Sequence, residues 1–152
     1  MRKRLFVTWV THNSRYNEKM KSLKLEKSEW YFLDDEARVL IYDLINNKLD
    51  REWIKAFTLN VLSDHVHLVL MYEENDLSEF IRKVKWAVSF EYFKSKKYSE
   101  KWLWRQNKLW ARGFSKTYLD TQEHYDKAIK YTLENHKKHE IKSIYQLVNR
   151  GL

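Results

Sequence analysis

Cysteine and proline are absent from the 152-residue chain, and glycine occurs only 2 times. Without thiols there is no disulfide and no thiolate-ligated zinc or iron–sulfur centre, so any metal must be held by nitrogen and oxygen. No low-complexity stretch or internal repeat interrupts the chain, and nothing in it reads as a linker between domains. No apolar run approaches the roughly 20 residues that a membrane helix needs. The start, Met1-Arg2-Lys3-Arg4-Leu5, is basic but leads into alternating residues rather than an apolar signal core. The expectation is one soluble, cytoplasmic domain over residues 1–152.

Acidic residues are also outnumbered. Lys+Arg total 29 against 21 Asp+Glu, a formal net charge of +8, and aromatic residues make up 16% of the chain. Such a charge balance favours an anionic partner, nucleic acid first and an anionic membrane surface second. Aromatic rings interleaved with cations favour single-stranded nucleic acid, where rings stack on bases and cations meet phosphates. That mixture is densest over residues 101–118, which contain no acidic residue. Trp104, Arg105, Lys108, Trp110 and Arg112 are the candidate contacts there, joined by Arg82, Lys83 and Lys85 from a preceding helix. The competing reading is that some of these rings fill the core.

Period and punctuation give the elements. Residues 5–11 read as a central strand, apolar on both faces, and the polar, Lys-rich residues 12–28 as a loop. A helix should begin at Asp34 or Asp35, bury Ala37, Leu40, Ile41, Leu44 and Ile45, and end near Asn46-Asn47. Residues 53–62 read as a second strand, joined through Ser63-Asp64 to a third as a hairpin. Asn75-Asp76 should open a helix with Glu79 closing a capping box, its buried stripe being Leu77, Phe80, Ile81, Val84 and Val88. A further strand is expected within residues 109–118, with Gly113 marking a bulge or a close backbone approach. A helix from about Asp120, capped with the help of Glu123, should pack through Tyr125, Ala128, Ile129, Thr132 and Leu133. A short closing helix follows. The order predicts an α+β fold, a ferredoxin-like βαββαβ antiparallel sheet with helices on one face plus a C-terminal helix.

The third strand carries His65-Val66-His67. Successive strand residues alternate faces, so the two imidazoles share one face while Val66, Leu68 and Leu70 take the other. Neutral imidazoles side by side on a stiff element suit a metal ion. Such a pair taken alone is more often structural. On the last long helix, Tyr131 and Asn135 stand one turn apart on one flank. Tyr118 and Tyr125 are neighbouring phenols, and Tyr125 falls in the packing stripe. His12 reads as a solvated loop residue, and His124, His136 and His139 as solvated or phosphate-contacting.

Together these motifs resemble the HUH-type single-tyrosine transposases. His65-Val66-His67 matches the histidine–hydrophobic–histidine strand, and Tyr131-Thr132-Leu133-Glu134-Asn135 matches the tyrosine-helix motif. The branch most resembled is the REP-associated tyrosine transposases, in which asparagine follows the tyrosine by one turn. Ser63-Asp64 and His136 depart from that branch, where Pro-Asn and proline are common. The resemblance implies a divalent ion, magnesium or manganese, held by His65, His67 and Asn135, with Tyr131 as nucleophile. It implies cleavage and joining of hairpin-containing single-stranded DNA through a 5′-phosphotyrosine, by a homodimer or a monomer. Two other functions use the same features. One is a non-catalytic module that binds single strands or hairpins; the other is a relaxase-like or replication-initiator nickase.

Overall fold

Strand β1 covers Arg2–Val10 in a computed structural model that describes residues 1–12, 32–95 and 109–149. Leu5, Val7 and Trp9 are buried on one face, while Phe6, Thr8 and Val10 lie half-buried on the other. A strand covered on both sides needs side chains suited to burial on both. Helix α1, Asp35–Arg51, starts where the Asp34 carboxylate accepts the Ala37 backbone N–H at 2.8 Å. Asp35 and Glu36 lie in its first turn and Lys48 and Arg51 in its last, as the helix dipole favours.

Two sequence expectations fail here. Asn46-Asn47 do not end α1, because Ile45 and Leu49 both lie on its buried stripe and packing outweighs weak local propensity. Nor does a strand begin at residue 53. The Trp53 N–H donates to the Asp50 carbonyl at 3.1 Å and the Ile54 N–H to the Leu49 carbonyl at 3.0 Å. That pair of bonds is a Schellman closure, with Trp53 at φ 55° in the left-handed position usually given to glycine. A chain with 2 glycines fills such positions with other residues.

Strand β2 is Ala56–Val61 and β3 is His65–Glu73. The turn between them closes as the Leu62 N–H donates to the His65 carbonyl at 2.8 Å. After a 3₁₀ turn at Glu74–Asp76 comes α2, Leu77–Ser95, which buries Leu77, Phe80, Ile81, Val84 and Val88 as expected. Glu79 makes no capping box; its carboxylate holds Arg82 through bonds of 2.8 and 2.6 Å. Strand β4 is Ser115–Tyr118, preceded by a lone bridge between Trp110 and Thr11. Gly113 stands in the bulge between them at φ 78°, with no described residue where a side chain would project. The position requires glycine's backbone freedom, not a close approach. Helix α3, Gln122–Lys138, is capped by Thr121, whose hydroxyl accepts the His124 N–H at 3.1 Å. Helix α4 is Ile144–Asn149.

The sheet order is β2-β3-β1-β4, with every pairing antiparallel. This is the ferredoxin-like arrangement. Helices α1 and α2 cover the face presenting Leu5, Val7, Trp9, Val66, Leu68 and Leu70, which holds most of the core. Helix α3 lies on the opposite face, against a smaller cluster of Val69, Leu119 and Ala128. Buried Arg38 ties α1 to the chain beyond α3, donating to the Val61 carbonyl at 2.9 Å and the Lys142 carbonyl at 2.7 Å.

The Trp53 side chain is 92% exposed, so Trp53→Gly relieves left-handed strain without loss of burial. The variant should unfold with a free energy higher by about 0.5–1 kcal/mol in urea titration.

Candidate active site

Because β3 alternates, His65 and His67 both face α3, and both are nearly fully buried. Each imidazole is fixed through its Nδ1. His65 Nδ1 lies 2.5 Å from the Asp64 carboxylate, and His67 Nδ1 shares a 2.7 Å hydrogen bond with the Thr8 hydroxyl. A carboxylate can only accept, so His65 donates from Nδ1, which in the neutral ring leaves a lone pair on Nε2. Partners at Nδ1 of this kind orient imidazoles that act through Nε2. The two Nε2 atoms converge to 3.0 Å.

Helix α3 brings the third group. The Asn135 Nδ2 is 2.6 Å from His67 Nε2 and 3.3 Å from His65 Nε2, while its Oδ1 is buried without a hydrogen-bond partner among the described residues. Half a turn of the amide exchanges the two atoms and aims the orphaned oxygen at the converging nitrogens. Two imidazole nitrogens and an amide oxygen form a donor set that suits a divalent cation. Among the described residues no three His, Cys, Asp or Glu side chains form a metal-holding group, so the set is complete only with the amide.

One helical turn before Asn135, the Tyr131 ring stands edge-on to His67 at 5.3 Å and to Phe6 at 6.1 Å, and it remains 46% exposed. A phenol placed so meets solvent and the imidazoles at once. One turn beyond Asn135, the His139 ring lies 5.1 Å from His65. Burial lowers the His139 pKa, and the adjacent His65 adds to the shift. Tyr131, Asn135 and His139, at intervals of four, therefore form one stripe along the helix above the histidine strand.

A family model described as "Transposase IS200 like" matches residues 14–136. The chain belongs to the IS200-like transposase family. Two solved structures share its fold. One is a REP-associated tyrosine transposase bound to a REP hairpin, 15% identical, with a TM-score of 0.58 and coverage of 90% of this chain and 68% of that one. The other is a candidate transposase from Deinococcus radiodurans R1, 19% identical, with a TM-score of 0.57 and coverage of 89% and 91%. No curated protein matches the chain significantly.

In this transposase the metal-type donors and the tyrosine come together, but the basic residues expected from sequence do not join them. Arg82 and Lys83 project from α2, which covers the other face of the sheet, and both lie near Glu79. Lys85 is half-buried and donates to the Ala111 and Gly113 carbonyls at 2.7 and 2.8 Å, holding the bulge; burial lowers its pKa. Trp110 is buried edge-on against Trp9. Arg112 is exposed, and Trp104, Arg105 and Lys108 lie outside the described residues. Beside Tyr131 a groove of about 350 Å³ is lined by Lys127, Lys130 and Lys138 together with Glu134 and Asn135. These lysines carry no motif in the sequence, although their spacing around Tyr131 is helical. Thr8 is equally unmarked there, because its partner His67 is 59 residues away.

Thr8→Val keeps the side-chain shape and removes the hydroxyl. Manganese binding followed by calorimetry should weaken about tenfold, with the His65→Ala/His67→Ala double variant as the zero.

Proposed function

We propose that this transposase cuts and rejoins single-stranded DNA through Tyr131, with a divalent ion, magnesium or manganese, at His65, His67 and Asn135. The observation that carries the reading is the convergence of both Nε2 atoms and the Asn135 amide one turn from an exposed tyrosine. When bound, such an ion polarises the scissile phosphate and stabilises charge on its non-bridging oxygens.

The chain's own residues account for the rest. Tyr131 supplies the nucleophile. Its phenolic oxygen attacks phosphorus, its proton passes to solvent, and the P–O3′ bond breaks. The products are a 5′-phosphotyrosine and a 3′-hydroxyl that takes its proton from water. Attack by the 3′-hydroxyl of another strand reverses the step and releases the tyrosine. Phe6 and His67 pack against the Tyr131 ring and limit its swing, so the oxygen is presented from a fixed direction. Lys127, Lys130 and Lys138 line the approach for a phosphate backbone. Arg82, Lys83 and Arg112 are candidates for a more distant stretch of the same strand. A structural relative is bound to a REP hairpin, which makes hairpins from the gene's own flanks the substrates to try.

Wild-type protein incubated with such oligonucleotides and manganese should give a denaturant-resistant protein–DNA adduct. Chelation should abolish it, and so should Tyr131→Phe. Cleavage that survives in Tyr131→Phe would overturn the nucleophile assignment. Tight hairpin binding that never yields an adduct, and is indifferent to metal, would indicate a non-catalytic binding module instead. Nicking confined to a replication or transfer origin would indicate a relaxase-like nickase.

A further inference from the structure

We propose that Asn60 registers the tyrosine helix against the histidine strand, a positioning role that no metal donor or nucleophile fills. The inference rests on the reading that Asn135 and Tyr131 act together with His65 and His67. Asn60 sits on β2 directly opposite His67, and Thr8 sits opposite His67 on β1. Cross-strand partners share a face. Thr8, His67 and Asn60 thus make a polar row across three strands, beneath α3. Thr8 holds the imidazole, while Asn60 holds the helix: its Nδ2 donates to the Thr132 carbonyl at 2.7 Å.

Thr132 lies between Tyr131 and Asn135 in sequence and is fully buried. Its hydroxyl donates to the Ala128 carbonyl at 2.8 Å, which leaves the Thr132 carbonyl as the group that meets the sheet. A hydrogen bond to a mid-helix carbonyl fixes how far the helix has slid along the strands and how it is rotated. Hydrophobic contact is non-directional and fixes neither. Rotation or sliding by an ångström or two would take the Asn135 amide out of reach of the imidazoles.

The chemistry of the Asn60 position points the same way. The side chain is 1% exposed and flanked by buried Leu59 and Val61, and its Oδ1 has no hydrogen-bond partner among the described residues. Only Nδ2 can donate to a carbonyl, so the oxygen is orphaned by the bond that docks the helix. A half-satisfied buried amide is less stable than an apolar side chain of similar volume. Asn60 therefore contributes position at the expense of stability.

Two variants separate these contributions in the full-length protein. Asn60→Leu keeps volume and removes donor and orphan alike; Asn60→Asp keeps shape and turns an acceptor toward the Thr132 carbonyl. Hydrogen exchange should quicken about tenfold over residues 128–138 in both. Manganese affinity, read from the electron paramagnetic resonance of free Mn(II), should fall by a similar factor. Asn60→Leu should do this while its urea midpoint stays at or above the wild-type value. Wild-type exchange over residues 128–138 in both variants would overturn the inference. So would a uniform rise in exchange across the chain with a lowered urea midpoint, which is the pattern of a purely structural residue. Failure of wild-type protein to bind manganese would count against the metal reading alone, because the exchange comparison still decides the role of Asn60.

Discussion

Helix α3 meets the sheet through a small apolar seam, Val69 with Leu119 and Ala128, and a polar seam in which Asn135 faces the imidazoles and Asn60 reaches Thr132. The two seams do different work. Burial holds the helix down but leaves it free to slide, whereas directional bonds select one position. Most of the apolar burial is spent on the other face, beneath α1 and α2. The fold thus separates its main apolar layer from a polar one, and β3 belongs to both. Val66, Leu68 and Leu70 anchor the first layer; His65 and His67 form the second.

Much of this was legible in the chain. The alternation of β3 put both imidazoles on one face, and the one-turn spacing of Tyr131 and Asn135 put phenol and amide on one flank. Both signals are local, fixed by the periods of strand and helix. What stayed hidden depends on contacts between residues far apart. Thr8 and Asn60 look like ordinary strand residues until β1, β2 and β3 are aligned. Trp110 and Lys85 look like nucleic-acid contacts because composition cannot tell a ring packed on Trp9, or an ammonium bound to carbonyls, from an exposed one. Asn46-Asn47 looked like a helix end because local propensity carries no information about the pocket that receives Leu49.

Scarcity of glycine leaves its mark on two helix ends. Beyond α1 the left-handed position is held by Trp53, and beyond α3 by Glu140 at φ 53°. There the Glu140 N–H donates to the Lys137 carbonyl and the Ile141 N–H to the His136 carbonyl, both at 3.2 Å. The second closure sets where the chain leaves the tyrosine helix, next to His139. It turns the chain toward Lys142, whose carbonyl accepts a hydrogen bond from Arg38. At 15–19% identity the two structural relatives share this architecture with few of the same residues.

The pairing Thr8–His67–Asn60 has a bearing on how the protein must fold. Strand side chains repeat every two residues, so slipping β3 by one residue against its neighbours would turn His65 and His67 into the main core and bring Val66 and Leu68 under α3. Buried imidazoles without partners would be costly on that side, and β3 would offer the helix only aliphatic side chains. A misregistered chain is therefore both unstable and chemically blank. Each molecule that closes its sheet in the native register has, by the same event, assembled the histidine half of the candidate site.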